Sequence, residues 1–181
     1  MNNKKFAIIS IFAAIIVVLQ VISTYVNFGS FSITLTLIPI IVAGAVYGIG
    51  IGALMGLVFG IVVSIMVIVG ADPNGAIMFA SHPVITISTC LLKGAVAGAI
   101  GSLIYNKVEN KKLAILLDAV ITPILNTTIL YISLILFFDS SFTAMITAFM
   151  SINFILEFLI NILLAPRLTN LINRAKSRDI K

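Results

Sequence analysis

Nearly all of the chain between Phe6 and Pro166 is apolar, in runs that mostly reach the roughly 20 residues an α-helix needs to cross the hydrocarbon of a bilayer. Hydrophobic residues make up 61% of the sequence and charged residues 9%, and mean hydropathy is +1.24. The membrane is the solvent for such a chain. Its 181 residues suffice for one all-α polytopic bundle over 1–181, with short connections and no separate soluble domain. Cys90 is the single cysteine, which excludes a disulfide framework within one chain and leaves a small buried thiol as the expected state.

The net charge of +5 is not distributed as a nucleic-acid-binding surface would be. Ten of the eleven basic residues fall in three clusters: Lys4 and Lys5; Lys107, Lys111 and Lys112; and Arg167, Arg174, Lys176, Arg178 and Lys181. Each cluster flanks an apolar run, and the positive-inside rule then places the N-terminus, the segment near 106–112 and the C-terminus in the cytoplasm. Crossings between clusters must be even in number, and six transmembrane spans satisfy this. They are Phe6 to about Val26, about Thr36 to Tyr47, Ile51 to about Val69, Pro83 to about Tyr105, about Leu113 to Phe138, and a sixth from near Ser141 to about Pro166, before an amphipathic basic tail. Pro83 suits a first helical turn, where its missing N–H is not needed, and Ser141 suits an N-cap. The second span is short for a perpendicular crossing. NNKK before an apolar stretch resembles a secretory signal, but the run from Phe6 to Ile22 exceeds the usual signal core and no small-residue cleavage pair follows, so no cleavage is expected.

Gly44, Gly48, Gly52, Gly56 and Gly60 recur at every fourth position. Helices in lipid associate by close backbone approach along small-xxx-small ridges, so the ridge is a docking surface, either for the chain's own helices or for a separate subunit. A tight glycine turn is expected between the second and third spans. Two outer connections also stand out. Ser30 to Leu37 alternate polar and apolar residues, the period of an extended strand, which reads as an ordinary loop or as a lid presenting alternate side chains to a ligand. GADPNGAIMFASHP is long for a connection in a bundle, and long ordered loops are more often functional than connective.

Polar groups inside the spans are expensive and need an interior partner or a task. Lys93 is the only basic residue outside the cytoplasmic clusters; ten residues after Pro83, it lies ~15 Å below the outer end of its span. Thr86 and Thr89 sit above it on about the same face. Asn153, Glu157 and Asn161 form an i, i+4, i+8 stripe on the sixth span. The fifth adds Thr122, Asn126 and Thr127 around Pro123, which should kink the helix and free a carbonyl, and the first adds Gln20 and Thr24. Two readings remain open: a buried network in which Lys93 pairs with Glu157, and a small-molecule pocket of a few convergent polar groups in apolar surroundings. Asp118, ~9 Å inside the cytoplasmic end of its span, suits a structural or interfacial role.

Several chemistries are excluded. There is no G-x-x-x-x-G-K-[ST] phosphate loop, no H-E-x-x-H with a single histidine, and no G-x-S-x-G. Ser81 and His82 are adjacent in a connection, point poorly at each other and lack a third group, so a serine hydrolase is not expected. No enzyme activity and no metal or cofactor site is expected in this chain.

The segments ITLTLIPIIVAGAVYGIGIGALMGLVFGIVVSI, HPVITISTCLLKGAVAGAIGSLIY and NFILEFLINILLAPRL, with the Asn126–Thr127 pair, together resemble the substrate-binding S components of energy-coupling factor (ECF) vitamin transporters over nearly the whole chain. The resemblance implies a six-helix vitamin-binding subunit in the bacterial plasma membrane. It would capture substrate from outside and topple in the membrane when a transmembrane coupling subunit and two cytoplasmic ATPases, which hydrolyse the ATP, drive the cycle. The family's small-xxx-small coupling motif falls on Ser10 and Ala14, with Ser in place of the usual first alanine. The family's ligand region matches Lys93, Asn126 and Asn153 and the loops around Thr34 and His82; Thr36, Thr86, Glu157, Gln20 and Tyr131 complete the candidate set.

The absence of tryptophan, with only Tyr25 and Tyr131 in outer halves, disfavours a flat heteroaromatic ligand that stacks. Lys93 suits a carboxylate, and Asn and Thr side chains suit hydroxyls and an amide. The overall look is similar to the pantothenate-type members. Another small water-soluble vitamin or precursor is the alternative within the family, and a homo-oligomeric scaffold or channel, with the glycine ridge making dimers, is the alternative outside it.

Overall fold

Backbone N–H and C=O groups in apolar surroundings must be paired within the structure, which an α-helix does internally, and the chain is helical along most of its length. The computed structural model describes residues 3–25, 27–28, 31–32 and 35–178. Its elements in chain order are α1 (Asn3–Tyr25), β1 (Asn27–Phe28), β2 (Phe31–Ser32), α2 (Leu37–Tyr47), α3 (Ile49–Ile68), α4 (Pro73–Ser81), α5 (Pro83–Lys107), α6 (Lys111–Phe137) and α7 (Ser140–Arg178). Five helices, all but α2 and α4, contain stretches long and apolar enough to cross a membrane, which makes this a multi-pass membrane protein.

Of the six expected spans, the second, α2, is the short one. It has 11 residues, about 16 Å, or roughly half the hydrocarbon thickness. Every residue from Leu37 to Val46 is buried, as expected of a helix apolar on all faces, and α2 packs against α1, α3, α5, α6 and α7. The alternating stretch is extended where it is described, Phe31 opposite Phe28 and Ser32 opposite Asn27 in an antiparallel pair, and gives way to helix after Thr36.

The glycine ridge is used within the chain. Gly48 interrupts it as the turn between α2 and α3, with φ of +97°, a conformation that an L side chain resists. Beyond the turn, a Cβ on Gly52, Gly56 or Gly60 would strike the backbone of α5 at Gly98, Gly94 and Cys90, and Gly94 and Gly98 answer with the same closeness to α3. Glycine against glycine brings the backbones of α3 and α5 into close approach.

Two connections differ from expectation. The stretch after Gly70 contains the nine-residue helix α4, started by Asp72, whose Oδ1 accepts from the Gly75 amide at 3.2 Å, with Pro73 in its first turn. At the other correction, α7 does not stop near Pro166 but runs on to Arg178, because the segment beyond the proline has something to pack on. Thr169 is buried, Ile172 packs against the core, and Asn173 Nδ2 donates to the Tyr105 hydroxyl at 3.2 Å. Ser141 lies inside the first turn; the Thr143 amide donates to the Asp139 carbonyl at 2.9 Å, so the helix begins from Asp139. α6 continues across Pro123.

Candidate functional site

The helices enclose a cavity of about 410 Å³, within the size range of small-molecule sites. It lies at the end of the bundle that carries α4, whose Asp72, Asn74 and Met78 form part of its wall. The last turns of α1 supply Gln20, Ser23 and Thr24, and α3 supplies an apolar side of Phe59, Val63 and Val67. Thr86, Cys90 and Lys93 come from α5, Asn126, Thr127 and Leu130 from α6, and Asn153, Phe154 and Glu157 from α7. Helical spacing explains the selection: Thr86, Cys90 and Lys93, like Asn153 and Glu157, are three or four residues apart and share a face.

Lys93 is the one basic residue on this wall. Its residue exposure is 9%, and Nζ stands 5.7 Å from the centre of the Phe59 ring, a cation–π distance. No carboxylate lies within 4.0 Å of it among the described residues. Glu157 shares the cavity but does not close an ion pair with Lys93; its Oε1 is buried without a hydrogen-bond partner, as is Oδ1 of Asn126. The Lys93–Glu157 ion pair of the first reading is therefore not formed, and the ammonium stands beside an aromatic face in a cavity that Glu157 also lines.

Of the residues expected at the site, Gln20, Thr86, Lys93, Asn126, Asn153 and Glu157 line the cavity. The Thr86 hydroxyl proton is engaged by the His82 carbonyl at 2.8 Å, which leaves the oxygen to the cavity as an acceptor. Thr36 is fully buried behind the wall and reaches it only through Gln20, its hydroxyl donating to Gln20 Oε1 at 2.9 Å. His82 does not line the cavity; it caps the junction of α4 and α5 and packs edge-on against Phe138, ring centres 5.1 Å apart. Tyr131 is 41% exposed on the outside of α6, so neither residue touches the enclosed space. Thr34 lies outside the described residues. The third member of the α7 stripe, Asn161, sits deeper, donating to the Glu157 carbonyl at 2.8 Å. Asp118 is away from the cavity, its Oδ1 accepting from Thr122 at 2.8 Å.

Ser10 and Ala14 are exposed on α1, Ser10 hydroxyl donating to the Phe6 carbonyl at 3.0 Å. Ser81 donates to the Ile77 carbonyl at 3.1 Å, so the adjacent Ser81 and His82 form no hydrolytic pair. Sequence reasoning missed Asp72 and Asn74 as wall residues. The signal was there in Asp-Pro-Asn-Gly, an N-cap followed by a first-turn proline.

Apolar helices of a membrane bundle thus bring polar side chains from several elements around one cavity of small-molecule size. The family "ECF transporter, substrate-specific component" matches residues 4–172, and the chain belongs to it. Among curated proteins it is similar to the pantothenic acid transporter PanT of Lactococcus lactis subsp. cremoris (strain MG1363), 26% identical over 188 residues that cover 96% of this chain and 95% of that protein. No solved structure matches it.

Proposed function

We propose that this chain binds pantothenate and delivers it to the cytoplasm as the substrate-binding subunit of an ATP-driven ECF transporter. The observation that carries the reading is Lys93, a buried ammonium group on the wall of the cavity with no carboxylate within 4.0 Å of it among the described residues. A ligand carboxylate completes it through a charge-assisted hydrogen bond. Pantothenate bears a carboxylate, two hydroxyls and an amide, and Gln20, Thr86, Asn126, Asn153 and Glu157 provide polar groups from four helices around the remaining space. The likeness to a pantothenic acid transporter supports the same cargo.

The three basic clusters orient the bundle with both termini and the α5–α6 turn in the cytoplasm, so that α4 and the cavity face outward. α2 then takes part in a crossing in a position surrounded by protein. The chain itself holds no ATP; two cytoplasmic ATPases hydrolyse it and a transmembrane coupling subunit docks on the exposed face of α1 at Ser10 and Ala14, where small side chains permit close approach. Labelled pantothenate uptake into cells without their own pantothenate transport tests this. Uptake is expected only when the chain is coexpressed with the coupling subunit and ATPases of its host. The Ser10→Leu, Ala14→Leu double variant should lose uptake and copurification while still binding pantothenate. Uptake by the chain alone, or unchanged copurification of the double variant, contradicts the coupling scheme.

A further inference from the structure

We infer that Thr36 is a positioning residue of the binding site: it locks the Gln20 amide so that α1 offers the cavity hydrogen-bond donors, selecting a ligand with a carbonyl or carboxylate oxygen against that wall. This rests on the substrate-binding reading above and adds the chemistry of one wall to it.

Thr36 is fully buried and stands immediately before ten consecutive buried residues of α2. It is therefore anchored to the least mobile part of the packing, where side chains interdigitate and cannot shift independently. Although it occupies the N-cap position, its hydroxyl makes no bond to the first turn of α2. It donates instead to Gln20 Oε1, 2.9 Å away and 16 residues earlier in the chain. A threonine hydroxyl has one proton to donate, and a glutamine amide has one oxygen and one NH2 group. With Oε1 taken by Thr36, the two N–H donors of Nε2 are what Gln20 has left for the cavity it lines.

The opposite amide orientation would turn Oε1, an acceptor, toward the cavity that Lys93 also lines. The observed one adds donors to a wall system whose cation already lacks a carboxylate within 4.0 Å among the described residues. Both groups are then donors, and an acceptor oxygen of a ligand against this wall would serve them. Because Gln20 is held before the ligand arrives, binding does not have to order it, which is how preorganisation raises affinity.

Gln20 is the only glutamine in the chain, so glutamine labelled with 15N at the side-chain amide gives one assignable NH2 pair in the full-length purified protein. In ligand-free protein the Thr36→Val variant should move or broaden this pair, and Thr36→Ser should keep it near its wild-type position. Titrated with pantothenate on the same samples, Thr36→Val should bind about fivefold more weakly, the scale of one hydrogen bond, and Thr36→Ser within about twofold of wild type. An unmoved pair in Thr36→Val overturns the lock, and a moved pair with unchanged affinity overturns its role in binding. If the wild type fails to bind pantothenate while the pair still moves in Thr36→Val, the lock is supported and the choice of substrate is what falls.

Discussion

Lys93 is a buried cation with no ion pair among the described residues. A buried ammonium is tolerated when it is paired or placed against polarisable groups, and here it has the Phe59 ring at 5.7 Å and an open cavity. If a ligand carboxylate supplies the counter-charge, Lys93→Met removes a charge-assisted bond of about 1.5–3 kcal/mol, a loss of roughly 10- to 100-fold in affinity. The neutral amide analogue of pantothenate should lose only a few-fold in the same variant. Equal losses for both ligands, measured by titration, would mean that Lys93 supports the fold and not the carboxylate. At this scale much of the site was legible in the sequence, because polar groups spaced by three or four in apolar helices must share a face, and Lys93, Asn126, Asn153 and Glu157 all reach the cavity. The Thr36–Gln20 bond was not legible. Its partners are 16 residues apart, one in α1 and one just before α2, and no periodicity connects them. His82 and Tyr131 were placed by depth alone, and depth does not say whether a side chain faces inward or out; the exposure of Tyr131 on α6 answers that.

Among the elements, the α3–α5 pair is set by glycine. Gly56 and Gly94 face each other so closely that a side chain on either meets the other's backbone, whereas a Cβ on Gly50 in the first turn of α3 meets nothing within 4 Å. Gly56→Val should therefore force the helices apart at a cost of about 1–3 kcal/mol. Gly50→Ala should be neutral or stabilising by up to about 1 kcal/mol through lost unfolded-chain freedom. Thermal unfolding of both variants in detergent separates the cases; equal melting temperatures would contradict the packing described for the ridge. The ridge itself was visible in the sequence, but its partner was not, since small-xxx-small spacing is the same for an internal and an external neighbour. Its interruption at Gly48 needed the turn, where φ is +97°. The extension of α7 past Pro166 was hidden for a similar reason. A proline costs a helix one hydrogen bond locally, and whether the helix resumes depends on distant contacts such as Asn173 with Tyr105.

For the whole molecule, hydropathy and charge clusters were sufficient to give a polytopic helical membrane protein, because the bilayer imposes spans on any chain this apolar. They were not sufficient to count the crossings, since α2 is too short to span by itself and owes its burial to the helices around it. Nor did they reveal α4, whose nine residues are fewer than periodicity resolves. The resulting architecture uses its glycine ridge internally and leaves α1 lightly covered, with large apolar side chains such as Phe6, Ile11 and Val18 exposed along it. The ridge glycines of α3 are thus occupied by α5, and the proposed reading is a monomer that holds its own ligand and meets its transport partners on α1. Calorimetric titration of the purified chain, without coupling subunit or ATPases, against pantothenate and a panel of other water-soluble vitamins tests this most directly. The account predicts saturable binding of one pantothenate per monomer in a monodisperse sample. No heat with any vitamin from folded protein, or a stoichiometry that requires several chains to form one site, would contradict it.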